Sequence, residues 1–496
     1  MKPTFLPLAA LVSVTAVLSA CGGGSTGSSG STSNSTNNPT SSAQLLGTVQ
    51  GKGSVVVNGV RLSTLGSTIK DEDGHTFAQS KLALGQVILV SGSVSSDGLS
   101  GDASQINLLR EFSGPVQTVS GSGFALMGQN FVVDAATVFK GEAGVNTSAL
   151  AQIRAGDYVE VYGVRQADGR LLATLVEEQT GKASLESGIE GRGLVSALNT
   201  TNKTFKIGNL TVNYSGANPN ATLSNGVSVR VRATQDPIYA SNGSATLNAT
   251  SVTVKGVENE LNSRSGQVEV KGFVESDAND QNPSTFAVAG FTVDVSNARF
   301  EGLSTLAVGQ LVEVKGVLNN GVLQASKVET EESRETSRGG RYEFYGAATQ
   351  GNYQASSNTL SFTVQGQNVQ FSRAINQGST DVCGISTTGS NPYVEVKGTL
   401  TNGIIQARKV ECQTSSSSGS GDDRSFSGNR FEMEGTVSNY NASSNEFALN
   451  GTRVSVTNAK FKKGTASQLR NGIRVEVKGA LDANQVFQAT ELEFED

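Results

Sequence analysis

The chain has 496 residues, with 38 Lys and Arg against 44 Asp and Glu, for a net charge of -6. That balance argues against a nucleic-acid groove, which needs a basic surface. One histidine, three cysteines and no tryptophan leave little for His-based catalysis or sugar stacking, while 58 glycines fit a chain of many tight turns.

Residues 1–20 read as a secretory signal: Lys2 supplies the positive start, and Phe5 to Leu18 are apolar but for Pro7 and a few small residues. The stretch is short of the roughly 18–20 apolar residues a membrane-spanning helix needs. Leu18-Ser19-Ala20-Cys21 resembles the lipobox of bacterial lipoproteins, which implies cleavage before Cys21 and acylation of its sulfur. A signal peptide without lipidation would instead leave Cys21 a free thiol. Gly22 stands where inner-membrane lipoproteins of this kind carry aspartate, so the resemblance implies the outer membrane. Residues 21–43, almost wholly Gly, Ser, Thr and Asn, read as a disordered tether.

Beyond the tether a two-part signature recurs six times. Its first half is a strand with glycines seven residues apart: Gly85 to Gly92, Gly156 to Gly163, Gly309 to Gly316 and Gly472 to Gly479. Gly226 to Ala233 and Asn391 to Gly398 are the two weaker copies. Its second half is alanine followed three residues later by an aliphatic, from Ala103 with Ile106 to Ala489 with Leu492. Such periodicity marks an array of repeated units. The repeats span residues 44–111, 112–181, 188–255, 264–330, 341–412 and 430–496. Residues 330–340 and 413–429 read as flexible linkers, and the first two repeats abut closely enough to pack as a rigid pair.

The sixth repeat shows the elements most plainly. Phe431 to Ser438 alternates as a half-buried strand, and strands flank the Asn450-Gly451 hairpin signal. One or two helical turns are expected within Lys463 to Asn471, then strands over Arg474 to Gly479 and Val486 to Glu493. Strand, hairpin, strand, short helix and final hairpin is the order of an OB-type barrel. The predicted fold is therefore all-β: six tandem, small, five-stranded OB-like barrels joined by short or flexible linkers. An immunoglobulin-like sandwich would need about seven strands per unit, and 70-residue repeats are too long for solenoid rungs. The recurrent glycine of the fourth strand is expected to sit at a bulge or sharp bend.

Cys383 and Cys412 both fall in the fifth repeat and are expected to pair as a disulfide in an oxidising compartment. A two-thiolate metal site finds no other Cys or His nearby.

The Gly-x-Val first strand, Phe-x-Val-x-Gly, Val-Glu-Val-Lys-Gly, Asn-Gly and Ala-x-x-Val-Glu together resemble an uncharacterised repeat family of bacterial envelope lipoproteins, a domain of unknown function with an OB-like barrel. The third repeat departs from it, with Val229-Arg-Val-Arg-Ala233 in place of the glutamate and glycine and an insert at Gln235 to Ser241. The resemblance implies fold and address, and no reaction.

No motif points to catalysis, a cofactor or a metal. Glu313 with Lys315, Glu395 with Lys397 and Glu476 with Lys478 share one strand face each, read as solvated charge pairs rather than a binding stripe. Phe124, Phe205, Phe286, Phe362 and Phe447 alternate in phase with the core. Asp71-Glu72-Asp73-Gly74-His75 reads as a polar hairpin tip without the spacing of a calcium loop. The expected function is thus non-enzymatic: a lipid-anchored envelope protein, held to the membrane through Cys21, whose repeats bind or organise an envelope protein or polysaccharide by multivalent weak contacts. The alternative is an envelope hydrolase or a periplasmic small-ligand binder using one divergent repeat, the third or fifth.

Overall fold

A computed structural model describes residues 40–52, 54–71, 73–142, 148–256, 261, 266–276, 284–302, 305–330, 342–372, 382–386, 391–412, 431–482, 484 and 486–495. Cys21, the leader and most of both predicted linkers lie outside the described residues. Among the described residues, no helix is long and apolar enough to cross a membrane.

Each repeat is a small five-stranded barrel held by its own strand pairing. In the first, Thr40–Lys52 pairs antiparallel with Val87–Ser95 along its first part and with Val55–Val57 along its second. Val55–Val57 turns back into Val60–Ser63, which runs parallel to Ser100–Leu108, itself antiparallel to Val87–Ser95. The strand order 1-2-3-5-4-1 is closed, with strands 3 and 5 parallel, which is the OB arrangement. Closure depends on one long first strand serving two neighbours, and its register shifts between Val49 and Gly51 where it passes from one to the other.

The other barrels repeat this pairing. In the sixth, Phe431–Thr436 pairs with Arg474–Leu481, Glu446–Leu449 with Thr452–Ser455, and Phe487–Glu495 with both Arg474–Leu481 and the third strand. The helical segment expected there is a single 3-10 turn at Ala466–Gln468. The third and fifth repeats, whose sequences drift furthest, keep the parallel strand 3 to strand 5 contact, Leu210–Asn213 against Ala245–Asn248 and Val369–Phe371 against Ile405–Ala407. Asn450 and Gly451 both take positive φ (47° and 83°), the two-residue hairpin geometry that matches strand twist.

The fourth-strand glycine sits where the ladder slips. Register shifts fall at Ser91/Gly92, Tyr162/Gly163, Lys315/Gly316, Lys397/Gly398 and Lys478/Gly479. The bulge lets strand 4 bend round a narrow barrel, and it brings the backbones too close for a side chain. A Cβ on Gly479 would stand 2.2 Å from the Gln488 carbonyl oxygen, and one on Gly92 2.1 Å from that of Asp102. Gly479→Ala should therefore cost about 1–3 kcal/mol by overpacking. Gly121→Ala, which meets nothing within 4 Å, should be neutral in the same urea titration. Equal midpoints for the two variants would refute the steric account.

Two expectations change. Thr40–Ala43, assigned by composition to the tether, form the start of the first strand, paired with Gly92–Ser95. Short polar residues are tolerated there because the backbone ladder, not the side chains, holds the segment.

The barrels also do not stand apart. Residues 38–496 form one compact unit. The first strand of repeat 1 pairs in parallel with that of repeat 4 (Ala43–Leu46 with Gln267–Val270) and with that of repeat 5 (Gly51–Lys52 with Glu343–Phe344). Cores merge across boundaries. Leu46, Leu89 and Leu109 pack into the core of repeat 4, and Tyr345 and Tyr393 of repeat 5 into that of repeat 6. Repeats 2 and 3 share one core. Tyr162 and Leu175 of repeat 2 pack into the core of repeat 1, and Thr174 Oγ1 donates to the Gly85 carbonyl at 2.6 Å.

Candidate functional site

Alternation along strands 1, 4 and 5 turns Val and Leu into each barrel and leaves Glu, Lys and Arg on the outside. From sequence, that outer face is expected in water. It is instead largely buried: Glu313 is 4% exposed, Glu395 6% and Glu476 1%. For repeats 5, 6 and 3 the cover is the first barrel.

Against repeat 5, the Arg61 guanidinium stacks 3.8 Å above the Tyr345 ring. Against repeat 6, the first barrel offers hydrogen-bond donors to three carboxylates. Ser54 Oγ and the Thr64 amide donate to Glu432 at 3.1 and 3.3 Å, and Ser63 Oγ donates to it as well. Thr64 Oγ1 and Gln79 Nε2 donate to Glu476 at 3.1 and 3.0 Å, and the Gly66 amide to Glu493 at 2.9 Å. Burial, reinforced by neighbouring Glu432, holds the Glu476 carboxyl well above the usual carboxylate range. Burial and adjacent Glu434 push Glu495 on the same face up to about 8.

Against repeat 3 the charges are reversed, and this accounts for its divergence. Arg230, standing where repeats 2, 4, 5 and 6 carry glutamate, and Arg232 both grip Asp73 of the first barrel. Arg232 Nε also donates to Glu190 at 2.8 Å. Asp71 closes the loop that presents Asp73, accepting from the amides of Asp73 and His75 and from His75 Nδ1, each at 2.9 Å. Asp71, Asp73 and His75 stand close enough together to be considered as metal ligands. With two guanidiniums on Asp73, the cluster is better described as an acidic plug in a basic socket.

Between repeats 1 and 2, Arg110 is 5% exposed and bridges Glu160 (2% exposed) at 2.8 Å and Glu186 at 3.0 Å. Burial pushes Glu160 up to about 7, with Arg110 pulling against it.

Cys383 and Cys412 are bonded, with Cα atoms 5.4 Å apart. They tie a 3-10 turn at Val382–Gly384 to the end of the last strand of repeat 5. Phe124, Phe205, Phe286, Phe362 and Phe447 are all buried, so none offers a stacking platform.

What the sequence does not reveal is a cavity of about 200 Å³ where repeats 1, 2, 3 and 4 meet. Its walls are mainly apolar, and five charged residues border it: Arg165, Arg192, Lys271, Glu111 and Glu275. Arg165 Nη2 stands 3.8 Å from the position of a Cβ on Gly193, which places the guanidinium of repeat 2 beside repeat 3. Glu275 of repeat 4 accepts the Gly290 amide at 3.1 Å. Burial raises the Glu275 carboxyl, against the pull of that amide and of Arg165. No repeat holds this site alone, so no motif within one repeat could announce it.

Comparison with known proteins yields the repeat and no activity. The family model described as a domain of unknown function (DUF5666) matches residues 47–107, 113–177, 271–329 and 434–493. These segments lie in repeats 1, 2, 4 and 6; repeats 3 and 5 carry the same strand pairing without a match. No curated protein matches the chain. Among solved structures, the chain is similar to drosophila Unr CSD456 at 13% identity, over 44% of this chain and 96% of that one, with a TM-score of 0.13. The OB-like assignment rests on the strand pairing. The chain thus carries four copies of a domain of unknown function, DUF5666, within its tandem array.

Proposed function

We propose that the chain is a non-enzymatic envelope protein, anchored through acylated Cys21 at the outer membrane, that binds or organises an envelope protein or polysaccharide. The observation that carries this reading is the docking of barrels onto the first one by strand pairing and matched charge. A body assembled in this way offers the rims of several barrels at set spacings. Contacts too weak to hold one by one then add through effective concentration. Barrels joined only by flexible linkers would gain less, because each has its own orientation to lose.

The non-enzymatic part is supported by where the reactive groups go. His75 is spent on Asp71, the thiols of Cys383 and Cys412 are bonded to each other, and two of the carboxyls raised by burial, Glu160 and Glu476, sit in contacts between barrels. A general base needs reach to a substrate proton, and these have protein neighbours instead.

Crosslinking capture on intact cells with the tagged full chain tests the proposal. One abundant envelope protein or glycan, crosslinked to two or more barrels, is the expected result. Recovery of lipid and background alone would sink it.

A further inference from the structure

We infer that the outer surface of repeat 3 is a site of N-glycosylation, with sugar carried on the side-chain amides of Asn199, Asn202, Asn209, Asn242 and Asn248. The inference goes beyond the binding of an envelope partner and stands or falls separately from it, because it concerns a covalent modification of the chain.

The acceptors are concentrated in this one repeat. An asparagine two residues before Ser or Thr, with any residue but proline between, is the acceptor pattern for N-linked sugar. Seven of the nine asparagines in residues 188–255 fit it, the five above with Asn213 and Asn220. The other five repeats together hold only Asn146, Asn441 and Asn450. Ser and Thr fill 16 of the 68 positions of repeat 3, so chance would satisfy about two of its nine asparagines. Positive-φ turns do not account for the excess. Asn58, Asn320, Asn402 and Asn450 serve hairpins elsewhere by taking positive φ, and none of the seven does. Asn199 and Asn242 each accept a nearby backbone amide, at 2.9 and 3.0 Å, but through Oδ1 and not through Nδ2, the atom that would take a sugar. Asn213 and Asn220 instead spend Nδ2 inside the repeat, on Asn248 Oδ1 at 3.2 Å and on the Val254 carbonyl at 3.4 Å.

The fold turns the five outward. Ser196–Asn199, Thr204–Ile207, Leu210–Asn213, Ala245–Asn248 and Ile238–Tyr239 form one five-stranded sheet. Phe205, Ile207, Leu210, Val212 and Leu247 point into the barrel, while all five asparagines are exposed. Asn202, Asn209 and Asn242 lie in the connections between strands, and Asn199 and Asn248 at strand ends. In extended chain, residues two apart share a face, so one enzyme pocket meets the amide and the hydroxyl together. Residues 191–235 contain no Asp or Glu, so that stretch offers no carboxylate to repel an incoming phosphate. The donor is, by class, a sugar activated at its anomeric carbon by phosphate, and a separate transferase brings it. Asparagine Nδ2 forms a bond to that carbon, the carbon–oxygen bond to phosphate breaks, and its electron pair leaves with the phosphate. One amide proton passes to a base of the transferase.

The test is mass spectrometry of the full chain purified from the cells that make it, with fragmentation that keeps each sugar on its residue. Sugar-sized mass increments are expected on Asn199, Asn202, Asn209, Asn242 and Asn248, with Asn213 and Asn220 bare. One fixed oligosaccharide at every site would identify a lipid-linked donor, and single sugars or graded ladders a nucleotide-linked one. Thr204→Ala, which leaves Asn202 in place and removes its hydroxyl partner, should abolish the increment at Asn202, and Thr204→Ser should keep it. Asparagines that are unmodified or merely deamidated, sugar confined to serine and threonine, or sugar at Asn202 that survives Thr204→Ala would each overturn the assignment. Thr204 pairs with Asn213 in the sheet. Should Thr204→Ala fail to fold, the glycopeptides of the unaltered chain decide.

Discussion

Arg110→Met should destabilise the junction of the first two barrels by about 3–5 kcal/mol at pH 8, the usual cost of stripping one partner from a buried ion pair. The methionine keeps much of the packing, so the loss comes from Glu160, left 2% exposed with its countercharge removed. Glu160 already titrates at about 7 because of its burial, and taking away Arg110, which pulls that value down, moves it higher still. The sign of the pH dependence follows. A carboxyl whose folded pKa is raised favours the folded state at low pH, and that advantage is lost as pH rises through the folded value. Near pH 5 Glu160 enters the variant neutral and the penalty shrinks; near pH 8 it must enter charged or hold a proton against the solvent. Urea midpoints of Arg110→Met and the unaltered chain should therefore lie closer together at pH 5 than at pH 8. Glu160→Gln combined with Arg110→Met should recover most of the loss, a coupling read from the double-mutant cycle. A penalty independent of pH, or additive effects of the two substitutions, would show that the pair does not hold the junction.

The same residue shows what a sequence conveys and what it withholds. Arg110 stands two residues beyond the last strand of repeat 1, and its charge says only that something acidic is near. Strand order, hairpins and the bulge glycines were legible because they are local. Asn450-Gly451 encodes its turn within two residues, and Gly479 encodes its bulge through the Gln488 carbonyl on the adjacent strand of the final hairpin. The facing of one barrel against another is not local. Glu476 with Lys478 reads the same on a solvated strand as on one docked against Thr64 and Gln79. One signal was present and ambiguous. Arg230 and Arg232 broke the repeat pattern, and Asp71 to His75 formed an acidic tip with no equivalent in the other repeats. Opposite departures in two repeats of one array are what matched docking faces produce. The cavity had no such signal, since its walls come from four repeats and its charged residues are unremarkable in each.

Raising the pH from 5 to 9 should loosen the contact between the sixth barrel and the first. Glu432, Glu476 and Glu493 lie on one face of three paired strands and are held by serine, threonine, glutamine and backbone donors of the first barrel. Burial beside Glu432 holds the Glu476 carboxyl well above the ordinary range against the pull of Gln79 and Thr64, and burial beside Glu434 raises that of Glu495. Their contribution is fully present below the unfolded carboxyl value and disappears as pH climbs through the folded one, which for Glu495 is about 8. Lys463 and Lys478 pair with Glu493 and Glu432 on this face, which keeps the face from repelling itself apart at neutral pH. Two amides report the contact directly, because Thr64 and Gly66 donate their N–H groups across it. After correction for intrinsic rates, hydrogen exchange at both should quicken by at least about tenfold between pH 5 and pH 9, since a carboxyl that binds its proton about ten times more tightly when docked than when free changes the docking equilibrium by the same factor. Exchange in the core of repeat 6, at Val475 and Val477, should change far less, because the barrel itself stays closed while its docking face opens. Glu476→Gln, which is neutral at every pH and still accepts from Thr64 and Gln79, should flatten most of the dependence. Protection at Thr64 and Gly66 that holds steady or grows toward pH 9 would mean that these carboxyls are ionised throughout, and that the first and last barrels are joined by something other than shared protons.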